Sequence, residues 1–366
     1  MMKIVFLCGA RDFHAMDWYK SAKKKLGVEK VAVMTDIISA EGMKCLVQPD
    51  DELIKLYIID KWLFKNPSRI GHIWRNVLKI LVMPIQIKKL KKYYAQHPDT
   101  VYHAHGMYYM QMARKAGVPY VGTPQGSEIL VRPYASKSYW NFAKEALQGA
   151  KAVTVDSVNM QKGAEKIAGV KPYIVQNGID VKSIMNYLTS TKEEQRTVWL
   201  SMRGLTPLYR EEEILRGRNE SQENNNHPIE FVYPFDDVNY KEQIKPLLKD
   251  EDKIIGRLQR DELYCKMHQT EIVFSIPKSD SSPRSVYESI FLGCPVIITW
   301  NAYYDVLPEC MQKRIIIADI DSPGWFDKAV AEARKLANVK FLPTEEAIEL
   351  FDQETNFEKI FNLLMK

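Results

Sequence analysis

Residues 279–299, SDSSPRSVYESIFLGCPVIIT, bring together the side chains and local structure that anion chemistry needs. Ser282 can cap a helix, and Pro283 suits its first position, where a missing N–H costs nothing. Gly293 fits the left-handed residue past the last turn, Pro295 follows, and Val-Ile-Ile begins a buried strand. The amides of Arg284, Ser285 and Val286 are therefore expected to point out of the helix mouth. With the positive end of the helix dipole they make an anion site, and phosphate is its usual occupant. Glu288 lies one turn deeper, on the face shared with Arg284 and Ser285. A carboxylate there cannot bind phosphate but can accept hydrogen bonds from sugar hydroxyls, so the combination points to a nucleotide. Asp280, eight residues before Glu288, supplies a second carboxylate.

Two further groups carry chemistry. Arg203 follows the strand pattern TVWLSM and precedes Gly204, an apt position for a guanidinium fork gripping a diphosphate. Arg210 is the candidate for a second basic contact. In DTVYHAHG, His103 and His105 alternate along a strand and share one face, with His105 nearer the carboxyl end. A His-x-His pair can bind zinc, yet no third ligand stands close in sequence. The preferred reading puts His105 in a cleft and leaves His103 packed or hydrogen-bonded.

Those residues need a scaffold that gathers strand ends. Short apolar strands alternate with helices along the chain, so the sheets should be parallel and doubly wound, with binding groups at the carboxyl ends of the strands. The first strand, KIVFLC, ends at Gly9, and the turn lacks GxGxxG, which argues against a dinucleotide cofactor. At 366 residues and 46% hydrophobic the chain can bury two cores. Residues 1–188 are expected to form one Rossmann-like domain and 189–345 a second, with a linker where TSTKEEQR lapses into charge. Residues 346–366 read as a C-terminal helix expected to pack back on the first domain.

Bulk properties exclude several classes. A net charge of +5 is too small and dispersed for a nucleic-acid binder. Five scattered cysteines without a CxxC pair indicate neither a disulfide framework nor a zinc site, and a reducing cytoplasm fits. MMKIVFLCG reads as a buried strand and not as a signal peptide, and no stretch reaches the 18 or so apolar residues of a membrane span. The helix expected over LVMPIQIKKLKKYYAQ, kinked at Pro84, places Lys88, Lys89, Lys91 and Lys92 opposite Ile87, Leu90 and Tyr94. That face is either an ordinary solvated surface or a contact with an anionic membrane.

Taken together, SDSSPRSVYE with the following GCPVI, NGID, HAHG with VPYVGTPQGSEIL, SMRGLTPLY and GRLQRDELY resemble the retaining nucleotide-sugar glycosyltransferases of family 4, which have the GT-B fold. The resemblance covers most of the chain. It implies two Rossmann-like domains facing each other across a cleft, and transfer of a sugar from a nucleoside diphosphate donor to a glycan or lipid-linked hydroxyl in bacterial surface-polysaccharide assembly. It further implies that Arg203, Asp280 and His105 act at the reacting centre. Arg210, Ser282, Arg284, Ser285, Val286 and Glu288 would hold the donor, Glu288 through its ribose, and the backbone near Leu258 would hold the base. Gly9, His103 and Gln125 would lie on the acceptor side. Two departures stand out: Asp280 where Glu is commoner, and Gln125 where His is usual, which removes a titratable group. No metal is expected if cationic groups neutralise the diphosphate. A nucleotide-sugar epimerase of the same fold and a non-catalytic nucleotide-sugar-binding subunit are the alternatives.

Overall fold

The structure, a computed structural model, describes residues 3–39, 45–64, 69–191 and 195–366. Its first sheet contains β1 (Lys3–Leu7), β2 (Val31–Thr35), β3 (Leu53–Lys55), β4 (Thr100–His105), β5 (Tyr120–Thr123), β6 (Ala152–Val155) and β7 (Tyr173–Ile174). The second contains β8 (Val198–Ser201), β9 (Ile229–Val232), β10 (Lys253–Gly256), β11 (Thr270–Ser275), β12 (Val296–Ile298) and β13 (Ile315–Ile317). The spatial orders are β3-β2-β1-β4-β5-β6-β7 and β10-β9-β8-β11-β12-β13, and neighbouring strands run parallel. Each sheet therefore reverses its winding direction once, between β1 and β4 and between β8 and β11. Ligands of such sheets bind outside the carboxyl ends of the strands at that point.

Both sheets are covered on both faces, which is why their strands read as nearly unbroken apolar runs. Along β1, Val5 and Leu7 enter one buried cluster with Tyr102 and Met110, while Ile4 and Phe6 enter another with Trp18 and Tyr19. In the second sheet Leu200 and Val273 face the helix Arg284–Phe291, and Trp199 and Phe274 face the helix Trp325–Ala337. Phe274 stacks on Phe326 with centroids 5.5 Å apart. A buried ion pair, Arg218 with Asp252, ties the edge of this unit together through bonds of 2.9 and 2.7 Å.

The chain divides into two compact units, one of the residues up to Gln176 together with Glu354–Lys366 and one of Asn177–Gln353. The division thus precedes the expected boundary at 188/189. The reason is the helix Val181–Ser190, whose Val181 and Ile184 are buried with Tyr287 and Phe351 in the second unit. The stretch expected to be a linker, 189–196, lies partly outside the described residues. The C-terminal segment 346–366 is two helices, Glu345–Phe351 and Gln353–Met365. Phe351 belongs to the second unit's core, whereas Phe357, Ile360 and Leu364 pack with Trp18 in the first. The helix containing Pro84 runs over Arg69–Gln96, twelve residues longer at its start than the apolar pattern from Leu81 suggests.

Candidate functional site

In the second unit the switch point gathers the expected donor residues. Arg203 leaves the end of β8, and Asp280 and Ser285 come from the segment after β11. The Arg203 guanidinium donates from Nη1 to Ser285 Oγ at 2.9 Å and from Nη2 to the Asp280 carboxylate, and it lies 4.6 Å over the Tyr209 ring. Asp280 is fixed in turn: the Ser281 amide donates to its Oδ1 at 2.9 Å, and its own amide donates to Asn301 Oδ1 at 2.9 Å. Such a pair is rigid and charge-assisted. Two polar groups beside it are buried without a hydrogen-bond partner, Arg203 Nε and the Tyr303 hydroxyl. Burial, and then the charge of Asp280, push the Tyr303 hydroxyl above its ordinary range.

The helix mouth differs from the expectation. The helix is Arg284–Phe291, and Pro283 rather than Ser282 occupies the cap, with φ −78° and ψ 94°. Proline supplies a suitable φ there, but its extended ψ moves the start one residue on. The Pro283 carbonyl accepts from the amides of Val286 and Tyr287, so the Val286 amide is already used. Ser285 contributes its hydroxyl to Arg203 instead. The predicted stop holds: Gly293 has φ 82°. Glu288 is half-buried one turn in, and its charge raises the pKa of the Tyr264 hydroxyl, after burial, which is the larger cause. Leu258 lies after Gly256, packed against the same core as that helix.

Arg210 braces the loops beside this group. It is the only non-glycine residue at positive φ among the described residues, at 59°, immediately before the helix Glu211–Glu220. Its Nε donates to Ile276 O at 2.7 Å, and its Nη2 donates to Pro277 O at 3.0 Å and Thr299 Oγ1 at 2.9 Å. Those bonds hold a strained residue and brace the loops after β11 and β12. Next to it Glu211 is fully buried, and neither carboxylate oxygen has a hydrogen-bond partner. Burial pushes its pKa up to about 8, against the smaller downward pull of its own backbone amide and then of Arg203. At neutral pH Glu211 is therefore mostly protonated and adds no second counter-charge to the Arg203–Asp280 pair.

The first unit has its own cavity of about 720 Å³ at the carboxyl ends of β1 and β4, lined by Gly9, His105, Gln125, Asp12, Glu128 and Lys79 among others. The His105 Nε2 lies 3.8 Å from Asp12 Oδ1, and its Nδ1 is buried without a partner. Burial alone would raise the Asp12 pKa; His105, His14 and the amides of Ala15 and His14 outweigh it and hold the carboxyl below its usual range. Gln125 Nε2 donates to Asp12 Oδ2 at 2.6 Å, so this amide orients the carboxylate facing His105. Glu128 closes a capping box with Gln125 and also accepts the Met107 amide at 2.8 Å. His103 does not line the cavity. It is fully buried, its Nε2 2.8 Å from Thr123 Oγ1, and burial presses its pKa to about 3, so it is a neutral core residue.

Sequence reasoning overlooked Asp12, Glu128, Lys79 and Tyr109 here and Tyr209, Glu211, Asn301 and Tyr303 in the second unit. QGSE, residues 125–128, carries a legible capping-box signal; the others are brought in by tertiary packing alone. Among the described residues no group of three or more His, Cys, Asp or Glu is placed to hold a metal ion.

No protein-family model matches the sequence, and no curated protein matches it. Solved structures do. Anabaena HepE in complex with UDP is similar over 100% of both chains, with a TM-score of 0.71 and 15% identity. Sucrose-phosphate synthase from Thermosynechococcus elongatus is similar over 100% of this chain and 98% of its own, with a TM-score of 0.70 and 12% identity. The fold is GT-B. The lipopolysaccharide outer core galactosyltransferase WaaB shares it, at a TM-score of 0.65, 12% identity and 99% of its own length. In GT-B terms the unit holding His105 is the N-terminal domain and the unit holding Arg203 the C-terminal one. No described helix is long and apolar enough to cross a membrane.

Proposed function

We propose that the chain is a retaining glycosyltransferase that moves a sugar from a nucleoside diphosphate donor to a hydroxyl of a glycan or lipid-linked acceptor, without a metal ion. The observation that carries this reading is the constellation at the second switch point: a half-buried guanidinium held by Ser285 and Asp280, with Glu288 one turn beyond Ser285 on its helix. HepE, which has this fold, has been solved with UDP and glucose.

In this reading the diphosphate meets Arg203 at the mouth of the helix Arg284–Phe291, and Glu288 accepts hydrogen bonds from the ribose. Asp280 supplies the counter-charge of Arg203; the diphosphate takes that place and frees the carboxylate for sugar hydroxyls. The bond from the anomeric carbon to the diphosphate oxygen breaks, the bond to the acceptor oxygen forms, and the acceptor proton leaves with the diphosphate. Charge grows on the leaving group, so the fixed Arg203 and the helix dipole stabilise the transition state more than the ground state. Protonated Glu211 adds no second counter-charge there. The pair of His105 with Asp12 acts on the acceptor side.

The test measures UDP-glucose turnover with and without an oligosaccharide or lipid-linked acceptor, with and without chelator, and UDP binding by calorimetry. Transfer that needs acceptor, survives chelator and retains anomeric configuration is expected. Glu288→Ala should weaken UDP binding by about 1.5 to 3 kcal/mol, the scale of charged hydrogen bonds. Isomerisation without acceptor, or binding without turnover, would refute transfer.

A further inference from the structure

The helix Arg69–Gln96 shows a feature that the reading above does not use. Ile70, Ile73, Val77, Ile80, Leu81 and Ile85 are all exposed, with Ile70 at 73%, Ile80 at 69% and Leu81 at 64%. At 3.6 residues per turn they fall within an arc of roughly 140°, and at 1.5 Å per residue the stripe runs for about 22 Å. Trp74 lies on the same arc, and its Nε1 donates to Trp62 O at 2.7 Å, which brings the exposed indole of Trp62 alongside. The flank of the helix next to the stripe buries Leu78 and Val82 against Ile37 and Ile59. A continuous exposed apolar stripe of this kind marks an interaction surface.

The same arc continues into Lys88, Lys91 and Lys92, which are exposed. Lys89 points elsewhere and donates to Leu56 O at 2.6 Å. One face is thus apolar with indoles for its first turns and cationic for its last. That sequence of chemistries complements a bilayer surface with anionic headgroups, where indoles sit at the interface and lysines face phosphate.

The helix also forms a wall of the first unit's cavity. Arg75, Lys79 and Ile80 line it, so Ile80 belongs both to the cavity rim and to the exposed stripe. Four cationic side chains line this cavity, Arg11, Arg75, Lys79 and Arg132, and they outnumber the carboxylates beside them, Asp12, Glu128 at 4.0 Å from Arg132, and Asp36 behind Lys79. Asp12 and Glu128 already accept backbone amides, from His14 and Ala15 and from Met107 and Gln125. Lys79 is crowded by Arg75 and Arg11, with Asp36 at 3.6 Å as its counter-charge. A cluster of like charges in a partly enclosed space favours an anionic occupant.

We propose that the acceptor is lipid-anchored: its anionic, phosphate-type head enters this cavity at Arg75, Lys79 and Arg11 while the stripe from Ile70 to Ile85 lies in the surface of the bilayer that holds its tail. The inference rests on the acceptor role of the His105 cavity. An amphiphile is the one class of ligand that matches an anion-seeking cavity opening beside an apolar stripe.

The experiment is vesicle cosedimentation of the full chain, with phosphatidylcholine vesicles and with phosphatidylcholine vesicles carrying phosphatidic acid, at low and high salt. Wild type should bind the phosphatidic acid vesicles at least tenfold more tightly than the neutral ones. Ile73→Asp, Val77→Asp and Leu81→Asp combined should reduce binding at least tenfold at both salt concentrations. Arg75→Gln combined with Lys88→Gln, Lys91→Gln and Lys92→Gln should abolish the preference for phosphatidic acid and leave the residual binding to neutral vesicles, and Arg75→Gln alone should lower that preference in part. UDP affinity, measured on each variant by calorimetry, should stay within twofold of wild type, so that a failed lipid result and a failed donor reading are told apart. The proposal is overturned if wild type ignores both vesicle types or if the triple variant binds like wild type. It is equally overturned if the triple variant only converts a dimer to a monomer, which would make a second copy the occupant, or if glycerol phosphate binds while vesicles do not, which would make the acceptor soluble.

Discussion

Replacing Glu211 by Gln tests the electrostatics of the donor half without touching a group that contacts substrate. The native carboxyl is fully buried, and its pKa is pushed from 4.5 to about 8. A group whose folded pKa is raised binds a proton in the folded chain that the unfolded chain gives up. Below pH 4.5 both states are protonated and nothing is lost; as the pH rises toward 8 the unfolded state is progressively favoured. At pH 7 the solution lies 2.5 pH units above the unfolded value, on the order of 3 kcal/mol of lost stability at about 1.4 kcal/mol per unit. Glutamine has nearly the same shape and cannot ionise, so the loss disappears, offset by about 1 kcal/mol for a buried amide donor. The variant should therefore be about 2 kcal/mol more stable than wild type at pH 7 and of similar or lower stability at pH 5. The cleaner readout is the slope: the difference between the two proteins should change by roughly 1.4 kcal/mol per pH unit between about 5 and 7.5. Urea unfolding of both proteins over that range at constant ionic strength measures it. Parallel curves would mean that Glu211 is ionised in the folded chain, and that it adds a second counter-charge to Arg203.

Three more outcomes follow from the geometry. Arg203→Ala should lower kcat by about 10²- to 10³-fold, the usual loss for a transition-state charge stabiliser, and steady-state kinetics with UDP-glucose would show it; an unchanged rate removes Arg203 from the reaction. His105→Ala should slow transfer while UDP affinity stays the same, and a large drop in thermal stability would instead assign the histidine to the core. Asp252→Ala should cost about 3 to 5 kcal/mol in urea unfolding, because it strands the fully buried Arg218 guanidinium, and an effect below 1 kcal/mol would show that water reaches the site.

The sheets were legible because a strand covered on both faces is an apolar run bounded by turn residues, and no tertiary knowledge is needed to see KIVFL or TEIVFS. The exception proves the rule physically: β3, LIK at the edge of the first sheet, is only half-buried and too short to show a pattern. The unit boundary was misplaced for a related reason. TSTKEEQR is more polar than the stretch around Gln176, but what assigns the preceding helix is the docking of Val181 and Ile184 onto Phe351, far away in sequence. Helix Arg69–Gln96 was recognised only from its basic end, since its apolar stripe faces outward and mimics a core pattern.

The positions of single residues at the site were legible where residue type and place on an element decide them, as for Arg203 after β8 and His105 at the end of β4. They were not legible where pairing decides. Arg210 and Arg203 are both arginines near the end of one strand, and nothing local says which of them is aimed at a ligand. The difference lies in what surrounds each: Arg210 meets two carbonyls and a hydroxyl from the loops after β11 and β12, which take its Nε and Nη2 donors in bracing a left-handed backbone. Arg203 meets one serine, one aspartate and the face of Tyr209, and retains a buried Nε without a partner. A guanidinium bound by neutral carbonyls stabilises the fold and has no reason to exchange partners. Arg203, bound by a carboxylate and a hydroxyl at the carboxyl ends of the strands, still has a buried Nε–H to offer, and the proposed donor site rests on that difference.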